Sequence, residues 1–112
     1  MLQRFKKFMD DLVNKRLNIN QKGVVLLEDD EEISLEQYAG FGFAMIGDSQ
    51  EYGHFTFASD ATVTLLTDIS ANTVNTDTDA KFCIYQDTDT VKIKNRLGST
   101  LPLLYDIKYV RT

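Results

Sequence analysis

The stretch Lys81-Phe82-Cys83-Ile84-Tyr85-Gln86-Asp87-Thr88-Asp89-Thr90-Val91-Lys92-Ile93-Lys94 decides the fold. Residues 81–85 and 90–94 are short alternating segments rich in β-branched and aromatic side chains, and Gln86-Asp87-Thr88-Asp89 between them has turn chemistry. Together they predict a β-hairpin. Downstream, Arg96-Leu97-Gly98-Ser99 turns into a last strand, where Leu103, Tyr105, Ile107 and Tyr109 alternate with Leu104, Asp106, Lys108 and Val110.

The same chemistry extends upstream. All eleven threonines lie at position 56 or later, which marks the second half as strand and turn. Residues 62–66 read as a strand, and 68–80 as a polar loop that Val74 pins to the core. Residues 52–58 alternate around Gly53, Phe55 and Phe57. In residues 38–46, Phe41, Phe43 and Met45 share one side, with only Gly40, Gly42 and Ala44 on the other, which suits a strand whose back is closely approached by another backbone. Phe41, Phe43, Phe55 and Phe57 are the expected core. Residues 33–37 alternate weakly, and the apolar run 23–27 reads as a fully covered strand ended by the acidic run 28–32. About seven short strands, spaced roughly 8–12 residues apart, predict an antiparallel β-sandwich or jelly-roll-like domain over 21–112.

The first twenty residues differ in kind. Leu2, Phe5, Met9 and Leu12 are spaced three, four and three apart, the stripe of an amphipathic helix, with Arg4, Lys6, Lys7, Asp11 and Lys15 around it. Three roles suit such a helix: packing on its own domain, oligomerisation through an a/d seam, and docking on an anionic surface. The fold class is therefore mainly β, preceded by one N-terminal helix that acts as anchor or oligomerisation element.

Composition narrows function by exclusion. The 112 residues carry 12 Lys+Arg against 17 Asp+Glu, with one Cys, one Pro and no Trp. That length suits one core. Residues 1–17 hold five basic and two acidic groups, residues 18–36 one and six, and residues 37–112 six and nine. An acidic chain of this kind is not expected to bind nucleic acid specifically. No apolar run approaches the roughly 20 residues that span a bilayer, so neither membrane insertion nor a signal peptide is expected.

Catalytic chemistry finds few carriers. His54 is the single histidine and reads as structural, and Cys83, between Phe82 and Ile84, reads as small hydrophobic packing. There is no GxGxxG, P-loop, HExxH or CxxC motif, and no cofactor is expected. Asp77-Thr78-Asp79 and Asp87-Thr88-Asp89 bracket one strand. At ~3.3 Å per residue they stand roughly 20 Å apart, so turn formation is a better role for them than metal binding.

Residues 38–109 carry a resemblance. Gly40-Phe41-Gly42-Phe43, Ile46-Gly47-Asp48, residues 52–57, Thr62-Val63-Thr64-Leu65, residues 75–85 and, most specifically, Ile93-Lys94-Asn95-Arg96-Leu97-Gly98-Ser99 are similar to the C-terminal β-modules of tailed-bacteriophage structural proteins. The resemblance implies a non-enzymatic virion protein made in the host cytoplasm, which decorates or projects from the capsid or tail as a homotrimer. It implies contact with other virion proteins through the N-terminal helix. No functional residue is transferred by it. Tyr52, Tyr85, Tyr105, Tyr109 and Arg96 are candidate surface or subunit contacts. The alternative is a carbohydrate- or host-surface-binding module that stacks a tyrosine-bearing face on a glycan.

Overall fold

A computed structural model describes residues 20–47 and 51–110. The expected N-terminal helix, with Leu2, Phe5, Met9 and Leu12, lies outside the described residues. Within them nine strands follow in order: Asn20–Leu27 (β1), Glu32–Ser34 (β2), Ala39–Ile46 (β3), Glu51–Phe57 (β4), Val63–Ile69 (β5), Thr73–Val74 (β6), Phe82–Asp87 (β7), Thr90–Asn95 (β8) and Leu101–Val110 (β9). They form two sheets, one of five strands ordered β1-β9-β3-β4-β5 and one of four ordered β2-β8-β7-β6. The fold is mainly β and sandwich-like, and every pairing is antiparallel except β6 with β7.

The hairpin foreseen at 81–94 is β7–β8, closed by Thr88 and Asp89 with Asp87 opposite Thr90. Thr88 takes a φ of 58°, the left-handed region that starts a tight hairpin loop. The polar loop is shorter than expected, because Thr73 and Val74 add a strand beside Phe82 and Cys83. Two-residue strands leave no period to read, which is why β6 escapes the sequence.

The core is shared between the layers. Phe55, Ile46, Leu103 and Ile107 of the larger sheet meet Phe82, Ile84, Val91 and Ile93 of the smaller. The expected aromatic core is half right: Phe55 and Phe57 are buried, whereas Phe41 is 52% exposed and Phe43 only partly covered. β3 turns its small residues inward because its neighbours' side chains already fill that space. The Phe55 ring and the Ile107 side chain lie over Gly42, and the Phe57 ring lies over Gly40. A phenylalanine on that side would collide with them. The expectation of a fully covered strand at 23–27 also fails. β1 is an edge strand with alternating exposure, and it leaves Val24 and Leu26 in solvent.

Asn95 ties the layers at one end. Fully buried, it donates from Nδ2 to the carbonyls of Leu27 at 2.9 Å and Ser99 at 2.8 Å, and its Oδ1 accepts from the Leu97 N–H at 3.0 Å.

Candidate functional site

The outward positions of the five-stranded sheet are the feature that asks for a partner. Strand alternation sends every second side chain to the outer face, and the registers align those side chains in rows. Val24, Leu104, Met45 and Tyr52 form one row across β1, β9, β3 and β4, flanked by Leu26 opposite Pro102. The next row is Lys22, Asp106, Phe43 and His54, and beyond it stand Asn20, Lys108, Phe41 and Thr56.

Exposure follows this geometry. The exposed large hydrophobics among the described residues are Val24 (70%), Leu26 (65%), Phe41, Tyr52, Leu66, Leu104 and Val110, and all stand on this one face. Fully covering one such aliphatic or aromatic side chain is worth about 1.5–3 kcal/mol. Several in adjoining rows therefore represent a considerable free energy that stays unused while the face is wet. Polar groups share the face: Lys22, Asp106 and His54 stand in the second of these rows and Asn20, Lys108 and Thr56 in the third, with Lys108 3.9 Å from Asp106 and the Phe43 and His54 rings tilted together at 4.7 Å. A shallow depression lined by Lys22, Val24, Phe43, Leu104, Tyr105 and Asp106 lies at the β1 side.

The opposite surface is chemically its reverse. On the outer side of the smaller sheet, Lys92 bridges Asp87 at 2.8 Å and Glu32 at 3.2 Å. Lys94 reaches Asp77 at 3.4 Å. Arg96 joins Asp30 at 3.1 Å and Asp77 at 3.2 Å. The loop before β7 folds back along this side, so Asp77 and Asp87 line one polar depression with Tyr85 instead of standing at opposite ends of a strand. Three cations, Lys92, Lys94 and Arg96, stand between these carboxylates and offset most of their charge. Among the described residues no group of histidine, cysteine and acidic side chains is arranged to hold a metal.

The candidate contacts fall in different environments. Tyr52 stands on the exposed face, where the side-chain Oγ of Ser70 accepts a bond from its N–H. Tyr105 packs against the core, with its hydroxyl near Gly23. Tyr109 is buried edge-on to Tyr38 and Phe57; its hydroxyl donates to Gln21 Oε1 and accepts from the Glu36 N–H. Tyr85 is buried too, and donates to Glu32 Oε2 at 2.9 Å. Arg96 is occupied by Asp30 and Asp77, with Asp79 at 3.8 Å. Tyr52 is thus the only member of this set on the apolar face, and the aliphatic residues that dominate it are invisible as a group until the register is known. Cys83 is enclosed, donating to the Thr78 carbonyl at 3.3 Å, and burial pushes its thiol above the ordinary value.

Burial also pushes the Tyr85 phenol far above its usual range, reinforced by the bond to Glu32, and burial raises Tyr109 as well. An unfolded tyrosine ionises near 10. The raised folded values mean that their contribution to stability is complete below that pH and is lost as pH rises beyond it. An alkaline titration followed by phenolate absorbance is expected to show Tyr85 and Tyr109 ionising late, with Tyr85→Phe weakening the alkaline fall in stability. A Tyr85→Phe variant with an unchanged alkaline profile would contradict this assignment.

The chain matches no protein-family model, and comparison with curated proteins and with solved structures gives no match.

Proposed function

We propose that this protein is a non-enzymatic structural component of a virion, of the tailed-phage decoration or appendage type. It assembles as a homotrimer through the apolar outer face of the five-stranded sheet, and its N-terminal segment engages other virion proteins. One observation carries the assembly part: the exposed large hydrophobics of the described residues are gathered on a single sheet face. Scattered apolar side chains are normal on any surface, but a continuous apolar row such as Val24, Leu104, Met45 and Tyr52, adjoined by Leu26, marks a surface that functions covered. The virion setting is carried by the resemblance of residues 38–109, and the β-body after a basic N-terminal segment suits a head on an anchor.

Light scattering on the full chain tests the proposal. A mass divisible by three chains is expected, and Leu104→Lys, which puts a charge in the apolar row of Val24, Met45 and Tyr52 without disturbing the core, is expected to abolish the three-fold association. A parent protein that stays a single chain overturns the reading. Binding of the isolated protein to glycans or host cells, unaffected by Leu104→Lys, would favour the host-surface module instead.

A further inference from the structure

Sheet edges present unpaired N–H and C=O groups, and natural proteins guard them with shortness, bulges, proline or charge. Three of the four edges here are guarded. β2 has three residues and β6 two, and the pairing of β5 with β4 is irregular between Gly53 and Phe55. Among the described residues, β1 has the least protection. It is eight residues long, pairs one-to-one with β9 from Asn20 opposite Lys108 to Leu27 opposite Leu101, lacks proline, and carries Lys22 as its one charge. Its outward residues include the two most exposed large hydrophobics, Val24 and Leu26.

We propose that β1 pairs antiparallel with β1 of a second copy about a two-fold axis at Val25, joining two five-stranded sheets into one continuous sheet. The pattern of β1 selects that register. Its even-numbered residues face outward and its odd-numbered ones inward, and residues directly opposite each other must share a face. With Val25 on the axis, Val24 meets the partner's Leu26, and Lys22 comes level with the partner's Glu28, the exposed residue that directly follows β1 and opens the turn to Glu31; symmetry makes each match twice. Moving the axis to Val24 would set Lys22 against the partner's Leu26. Moving it to Leu26 would set Val24 against the partner's Glu28. The Val25 register alone matches apolar with apolar and base with acid. Lys22 and Glu28 are exposed, and neither side chain has an ion-pair partner among the described residues. Both are free to make these contacts.

This two-fold contact is separate from the three-fold one, and it rests on the trimer reading only for the total mass. Trimers joined through β1 weigh six chains; β1 pairing alone gives two. Light scattering on the full chain, with folding checked by circular dichroism, reads both. Glu28→Lys opposes lysine with lysine at both ends of the strand pair, and is expected to halve the mass by weakening the pairing about tenfold or more. Lys22→Glu is expected to act the same way, and the double variant Lys22→Glu/Glu28→Lys to restore the parent mass. A parent of three chains overturns the β1 pairing and leaves the trimer standing, and a parent of two does the reverse. A single chain overturns both. A Glu28→Lys variant of unchanged mass, or a double variant that is not restored, overturns the register.

Discussion

Replacing Asn95 with alanine is expected to remove about 2–3 kcal/mol of folding stability, since each buried polar group left without a partner costs about 1–3 kcal/mol and only the more accessible ones can turn to water. Four backbone groups bond to that one side chain: the buried carbonyl of Leu27, the more accessible carbonyls of Ser99 and, at 3.4 Å, Glu28, and the N–H of Leu97. They belong to the end of β1, the turn after β8 and the approach to β9, so the loss opens both sheets at the same corner. The main chain there is already paired in both directions, with Asp30 donating to the Asn95 carbonyl and Asn95 donating to Glu31. The alanine variant therefore has no free backbone partner with which to repair the damage. Urea denaturation checks the size of the effect, and a loss below about 1 kcal/mol would count against the assignment. Asn95→Asp separates hydrogen bonding from packing. It keeps the shape and the acceptor for Leu97 but turns a carboxylate towards two carbonyl oxygens, which raises its folded pKa. Its stability is expected to recover partly as pH falls, because only the protonated acid donates.

Gly40→Ala is expected to cost a similar amount, about 3 kcal/mol, at the upper end of what overpacking does. A Cβ at this position would run into the backbone carbonyl of Lys108 and lie 2.9 Å from Phe57 Cζ. β3 is held on both sides, with Gly40 opposite Tyr109 of β9 and Phe57 of β4, so the carbonyl cannot yield without disturbing the middle of the sheet. Gly23→Ala is the matching control. There the nearest atom is the Tyr105 hydroxyl oxygen at 3.1 Å, the far end of a side chain on an edge pairing, and a loss under about 1 kcal/mol is expected. Equal denaturation midpoints for the two alanine variants would contradict this account.

Both positions show how much a reader of the sequence can see. Gly40 stands out as a strand glycine, and the expected close approach is present. The side it faces differs from the expectation, because Phe41 and Phe43 look like core residues on hydrophobicity alone. They were displaced to the outer face by Phe55, Phe57 and Ile107, which come from other strands and claim the interior beside Gly40 and Gly42. Asn95 gives no local sign at all. It reads as a polar residue beside a turn, and its importance comes from carbonyls as far away in the chain as Leu27. For the candidate interaction face, the sequence points to Tyr52 as a contact but not to Val24, Leu26 or Leu104. Val24 and Leu26 sit in an unbroken apolar run whose simplest reading is burial on both sides.

Alternation, turn residues and spacing determined from the sequence alone that this chain is mainly β, where most of its strands run, and that β7 and β8 form a hairpin. These are local properties, set by a two-residue period and by the few residues that permit tight turns. The tertiary structure alone decided which side of β3 is inside, that β1 is an edge strand, and that one sheet face collects the exposed apolar side chains. Alternation divides a strand's residues into two sets without saying which set is buried. That choice is made by strands distant in sequence, as when β9 inserts between β1 and β3 and aligns Val24, Leu104 and Met45 in a single row.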